Sequence, residues 1–149
     1  MTNFRLSIGA WGERLAEREY LKRGYVLVAR NVSNTKGKRL GEIDLIVRSE
    51  TEIIYVEVKT RTSDRFGSAV ESITKAKKQR IVRAVLWFTR TFKQYQRLKP
   101  RIDVCAIDVS KSFKDSVRPI VFGLPYHPLD LDKSSGNVII IPYAVSLDI

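Results

Sequence analysis

The sequence predicts an α/β protein, a mixed β-sheet sandwiched by helices within one domain, and three observations carry that prediction. An amphipathic stretch ending at Gly24 precedes a set of apolar alternations. Two of those alternations, Gly41–Val47 and Glu52–Thr60, read as neighbouring strands. A basic amphipathic segment then separates them from a further apolar run, Ile102–Val109. The order helix, three strands, helix, strand describes an α/β sandwich with a mixed sheet.

The elements follow in chain order. Gly9–Arg23 is the expected first helix, and Gly24 is its natural stop. Tyr25–Asn31 reads as the first strand, and Ser33–Arg39 as a polar, basic loop long enough to reach a ligand. In the next strand Glu42 and Asp44 should share one face, with Ile43, Leu45 and Val47 on the other. In the following strand Tyr55, Glu57, Lys59 and Arg61 share a face opposite Ile54, Val56 and Val58. The five residues Arg48–Glu52 lie between the apolar runs and suit a hairpin. Thr62–Ser68, with Phe66-Gly67, reads as a loop before a helix that starts near Ser72. Pro100 is expected to end that helical region.

Pairing the two acidic strands brings Asp44 close to Glu57, with Lys59 one pleat further along. A hard divalent cation takes oxygen ligands and commonly uses one or two carboxylates, leaving room for water and phosphate. Such an ion acidifies water and polarises a phosphoryl oxygen. A lysine beside it can hold the attacking water or offset charge developing on phosphorus. Glu-x-Lys alone is an ordinary same-face pair; the second acidic strand is what makes phosphodiester cleavage the better reading. Glu42 shares the face of Asp44 and is expected to brace the site or accept a bond from the basic loop.

Charge points to the same partner. The chain has 149 residues, 27 of them basic and 16 acidic, for a net charge of +11. Ser72–Ile102 carries ten Lys and Arg and no acid, with Ile73, Ile81, Val85, Phe88 and Phe92 near helical spacing. A merely soluble helix would mix its charges, whereas a pure basic stripe is the footprint of a polyanion. Nucleic acid is favoured over membrane because so small a domain needs its apolar faces for the core. Lys77, Lys78 and Arg80 on this helix, with Arg61, are the expected phosphate contacts.

Asp44, Glu57-Val58-Lys59 and the preceding helix resemble the PD-(D/E)xK nuclease superfamily. More narrowly, the chain resembles the YraN-like family of small bacterial predicted endonucleases, related in fold to Holliday-junction resolvases. The likeness also runs through Gly12-Glu13, Ala16, Tyr20-Leu21, Gly24-Tyr25, Asn31, Gly41–Ile46, Arg61, Phe66-Gly67, Lys77 and Arg101-Ile102-Asp103. Ile43 stands where the superfamily has its name-giving proline. The resemblance implies a restriction-endonuclease-like sheet and a metal-dependent endonuclease, Mg²⁺- or Mn²⁺-assisted, acting on DNA and suited to branched or damaged forms. It further implies that Glu13, from the first helix, joins Asp44 and Glu57 as metal ligand and catalytic residue beside Lys59. The alternative is a nucleic-acid-binding module that keeps the fold without catalysis. A structural basic protein of the translation apparatus would explain the charge but not the buried acids. A junction-cutting role would need a two-fold homodimer.

Residues 1–110 are expected to form the nuclease-like core and 111–149 a divergent extension packed on it. Within that extension Val138–Ile141 is a strand candidate ended by Pro142. His127, between prolines, reads as loop surface, and Asp103 as a partner of Arg101 or of the site. Cys105 is the only cysteine, so no intrachain disulfide or thiolate metal site is expected and the residue suits a buried core position. No secretory leader pattern or membrane-length apolar run is visible, so a cytoplasmic location is expected.

Overall fold

Among the described residues two α-helices and five strands build the fold in the order α1 (Thr2–Lys22), β1 (Val26–Ser33), β2 (Glu42–Arg48), β3 (Glu52–Arg61), α2 (Lys75–Thr91), β4 (Lys99–Val109) and β5 (Gly136–Ile141). A computed structural model describes the backbone of residues 2–34, 41–61, 73–109 and 136–141, and the side chains of 8–34, 41–61 and 73–107. Most of the Ser33–Arg39 loop, the Phe66-Gly67 loop and His127 lie outside the described residues.

Helix α1 begins before Gly9, at Thr2, and ends as expected at Gly24. Gly24 has φ of 87°, a left-handed conformation that glycine adopts without side-chain penalty. Its N–H donates to Leu21 O at 3.0 Å while Tyr25 N–H reaches back to Tyr20 O at 3.1 Å. The Tyr20 and Tyr25 rings meet edge to face at 5.8 Å, the apolar contact that accompanies this helix end.

The sheet order is β1-β2-β3-β4-β5. Strands β1, β2 and β3 run antiparallel in turn, β3 and β4 are parallel, and β5 returns antiparallel to β4. The strand expected near Val138–Ile141 is thus an edge of the sheet. Ser49 Oγ closes the β2–β3 hairpin by accepting from the N–H groups of Thr51 and Glu52 at 3.3 and 3.1 Å. Helix α2 makes the parallel crossover, and Thr74 caps it by accepting from Lys77 N–H at 3.2 Å.

The helices cover opposite faces. Ile8, Trp11, Leu15, Ala16 and Tyr20 of α1 pack on Leu45, Val47, Ile54, Val56, Cys105 and Ile107. Ile81, Ala84, Val85 and Phe88 of α2 pack on Ile43, Ile46, Ile53, Tyr55 and Ile102. Two departures from the sequence reading are instructive. Ile43 faces α2 while Leu45 and Val47 face α1, so the alternation of β2 changes phase at Asp44 rather than keeping all three together. The second helix ends at Thr91, not at Pro100, and a 3₁₀ turn over Lys93–Tyr95 follows it. Pro100 lies near the start of β4, beside Ile53, where proline is compatible with strand geometry.

Candidate active site

Strands β2 and β3 pair from Arg48–Ile53 through Leu45–Val56 and then part. At the fork Asp44 Oδ2 accepts from the backbone N–H of Val58 at 2.7 Å, taking the place of a ladder carbonyl. The sequence expectation that Asp44 approaches Glu57 is met here, through a split in the pair instead of a continued ladder. Asn31 of β1 lies between the paired positions Arg30–Leu45 and Val32–Ile43, and so beside Asp44. Its φ of 48° is left-handed, a conformation asparagine tolerates better than most residues.

Glu57 is only 4% exposed. Its Oε1 receives Lys59 Nζ at 3.3 Å from the same strand and Lys77 Nζ at 3.2 Å from α2. Its Oε2 is buried and has no hydrogen-bonding partner among the described residues. Both lysine side chains remain about one-third exposed while their ammonium groups hold the buried carboxylate.

Glu13 comes from α1. The helix comes so close to β3 at the preceding residue that a Cβ on Gly12 would fall 1.8 Å from Thr60 Oγ1. Glu13 bonds the Asn31 side chain, and its carboxyl is raised by burial against the lowering effect of that bond, with repulsion from Glu42 and Glu57 adding to the rise. Asp44 is pushed up to about 7, first by burial and then by Glu57, with Glu13 a smaller repulsion; Val58 N–H and Lys77 oppose the shift. Burial leads both shifts, and repulsion from the neighbouring carboxylates adds to it.

The acids do not form a closed cage. Among the described residues no group of three or more His, Cys, Asp or Glu is gathered as a metal ion's ligands would be. The donor set nevertheless suits a hard cation: oxygen ligands only, an orphaned buried oxygen on Glu57, and uncompensated negative charge around Asp44. A cation filling its remaining positions with water and phosphate needs no more from the protein than this pair, with Glu13 at hand.

The other expected residues divide. Lys77, expected on the outer basic face, is drawn inward onto Glu57. Lys78 stays half-buried and Arg80 exposed on α2, and Arg61 is half-buried at the end of β3. Glu42 is exposed. Asp103 turns away from the site to Tyr20 and Arg101. Asn31 was legible only as part of the family likeness; its left-handed backbone and its bond to Glu13 have no signature in strand periodicity. Gly41 is a similar case: with φ of 134°, its Cβ position would lie 2.7 Å from the Arg80 carbonyl, so the entry to β2 passes tightly over α2.

A mixed sheet with one helix on each face and an acid pair at a strand fork defines an α/β protein consistent with a nuclease-like fold. The chain belongs to the family described as Uncharacterised protein family UPF0102, the YraN-like family, whose profile matches residues 12–107. It is 42% identical over 90 residues to a UPF0102 protein of Desulfosudis oleivorans, covering 60% of this chain and 70% of that one. It is 36% identical over 107 residues to a UPF0102 protein of Syntrophotalea carbinolica, covering 72% and 83%. A UPF0102 protein of Caldanaerobacter subterraneus is 37% identical over 103 residues, covering 68% and 79%. The matched span holds all the residues of the fork and stops at Ile107 within β4. No helix among the described residues is long and apolar enough to cross a membrane.

Proposed function

We propose that this protein is a metal-dependent endonuclease that hydrolyses DNA phosphodiester bonds in the cytoplasm, with branched or damaged DNA as its natural targets. The observation that carries the reading is Glu57: a buried carboxylate with two lysines on one oxygen and, among the described residues, no partner on the other, next to Asp44 at a fork in the sheet. Burying such a group without satisfying it costs stability, so its retention asks for a function.

When bound, Mg²⁺ or Mn²⁺ would acidify a water and polarise the scissile phosphate. Asp44 and Glu57 would hold the ion, with Glu13 reaching it directly or through water. Val58 N–H fixes the Asp44 carboxylate, so that ligand is pre-oriented. Lys59 shares a strand face with Glu57 and is partly exposed, which supports a role for its ammonium in holding the attacking water or offsetting charge on phosphorus. Lys77, from α2, supplies a second positive charge on the same Glu57 oxygen. The basic outer face of α2, through Lys78 and Arg80, would add sequence-independent phosphate contacts.

A second reading, a nucleic-acid-binding module without catalysis, draws on the same ion pairs: Lys59 and Lys77 neutralise Glu57 without any metal. The two are separated by assaying purified protein with Mg²⁺ or Mn²⁺ on linear, nicked, flapped and four-way DNA and on RNA. Metal-dependent cutting of DNA above the background of Glu57→Gln and Lys59→Ala supports the enzyme. Binding with no cutting in any arm leaves the module.

A further inference from the structure

On the side of the site away from α2, a cleft of about 640 Å³ opens between α1 and the β1–β2 edge. Glu13 and Asp44 belong to its lining, so it reaches the site at Asp44 from the α1 face, while Glu57 faces α2. Its α1 wall is a helical stripe, in which Ala10, Glu13, Arg14, Glu17, Arg18, Leu21 and Lys22 recur at three- and four-residue spacing. Beyond the acids the wall is mainly basic: Arg14, Arg18 and Lys22 from the helix face Arg30 from β1. Glu17 is the opposing charge, and it orients Arg30 through two bonds of 2.6 and 2.7 Å. Ala10, Leu21 and Leu45 are its apolar members; Leu45 is buried, whereas Leu21 is 45% exposed.

We infer that this cleft is a binding site for a single strand of DNA entering or leaving the cutting site, an inference that rests on the nucleic-acid reading above. Three features select that occupant. Four cations, Arg14, Arg18, Lys22 and Arg30, line the cleft past Glu13 and Asp44, and the one carboxylate among them, Glu17, is engaged by Arg30, so phosphates flanking the scissile one would meet a surplus of positive charge. Leu21, exposed at the cleft's rim, offers apolar surface to a base face once the strand is unpaired. The volume is that of a small-molecule pocket, which admits a nucleotide or two of separated strand but not the body of a duplex. The exposed cations of α2 lie on the other face of the sheet and are left to hold the duplex. Flapped or forked DNA is therefore the expected substrate class, with its free strand threaded between α1 and β1.

The test compares binding of a fluorescent single-stranded oligonucleotide and a blunt duplex of equal length, in EDTA so that neither is cut. Arg14→Gln/Arg18→Gln should weaken single-strand binding at least tenfold and flatten its salt slope by about 1.4, near 0.7 for each lost contact. Duplex affinity should fall less than about threefold, because those contacts lie elsewhere. Lys78→Gln/Arg83→Gln should show the reverse pattern. Lys22→Gln, at a side chain more than half exposed, repeats the single-strand test at a position where folding is not at stake. Unchanged single-strand affinity in both cleft variants, or equal losses on single strand and duplex, would overturn the assignment. Wild type that cuts DNA while the cleft variants bind normally removes the cleft alone. Wild type that binds single strands through the cleft and cuts nothing removes the enzyme alone.

Discussion

Glu57 and Asp103 are both buried carboxylates on the parallel pair β3–β4, one register step apart, since Val56 lies beside Asp103 and Glu57 beside Val104. They face opposite sides of the sheet and are treated in opposite ways. Asp103 accepts the Tyr20 hydroxyl at 2.8 Å and the Arg101 guanidinium through Nε at 2.9 Å and Nη2 at 3.0 Å. Arg101 continues to Glu52 at 3.3 Å, which also accepts from Tyr25. Every oxygen of Asp103 is used, and the Tyr20 phenol is held in its neutral, donating form by burial and by that neighbour. Among the described residues, one oxygen of Glu57 has no partner. The difference separates a carboxylate that ties α1 to the sheet from one whose hydrogen-bonding capacity the described residues leave half used.

Breaking the satisfied member should have the largest effect. Asp103→Ala leaves the Arg101 charge without its bidentate partner and the Tyr20 hydroxyl without an acceptor. A loss of about 3–5 kcal/mol in unfolding free energy is expected, measurable by urea denaturation. Glu57→Gln, which removes a buried charge with an open oxygen, should cost far less. Equal losses from the two variants would mean that Glu57 is as structural as Asp103.

Next comes chemistry. Lys59→Ala should reduce metal-dependent cleavage by at least roughly a hundredfold while weakening DNA binding only slightly, since one charge near the reacting phosphate is lost among many phosphate contacts. Arginine should restore part of the rate, because it keeps the charge but not the point geometry of an ammonium. The rate of single-turnover cleavage is the readout, and a Lys59→Ala enzyme within a few-fold of wild type would move that role to Lys77.

A smaller effect should come from the contact that sets Glu13 in place. Gly12→Ala forces α1 away from Thr60, and overpacking of this kind costs about 1–3 kcal/mol. Because Glu13 follows directly, cleavage should fall by more than the stability loss alone explains at temperatures where the variant is folded. Thr60→Ser, paired with it, removes the Cγ2 atom that lies 3.2 Å from the same Cβ position and should recover part of both losses.

Much of this arrangement was legible in the chain, and the misses have a common cause. Helix α1, the two acidic strands and the basic crossover helix follow from periodicity and from Gly24, because each local signal agrees with the packing that follows. Glu57 and Lys59 sharing a face is a consequence of strand geometry alone. The phase change at Asp44 is not, since it arises where two strands separate and a side chain replaces a carbonyl. Helical spacing puts Lys77 on the outer surface because it cannot reveal that a neighbouring strand offers it a buried carboxylate. Local rules make Pro100 a helix stop, although it lies where a strand can accept a residue without N–H. Local rules fail here at the positions where tertiary contacts decide, and two of the three belong to the candidate site.

The smallest effect expected is also the one that sharpens the contrast with Asp103 most directly. In metal-free protein the Asp44 carboxyl is raised from 3.8 to about 7, so the folded state holds its proton more tightly than the unfolded chain does. Stability from this group is then fully present below about pH 4 and is lost as pH rises through about 7. Asparagine keeps an oxygen for Val58 N–H and carries no charge, so Asp44→Asn should escape that loss. The variant is expected to match wild type near pH 4 and to exceed it in stability at pH 8, the direction fixed by the raised Asp44 carboxyl. Mg²⁺ or Mn²⁺ should erase the difference from the other side, raising the melting temperature of wild type at pH 8 by mass action and leaving Asp44→Asn unmoved. Asp103→Asn, whose site is already filled, should leave the melting response to either ion unchanged. Thermal melting at both pH values, with and without the ion, reads all three proteins in one series. A full metal response in Asp44→Asn would remove Asp44 from the metal site, whereas a wild type that gains nothing from either ion would mean that the open oxygen of Glu57 is not a cation's place.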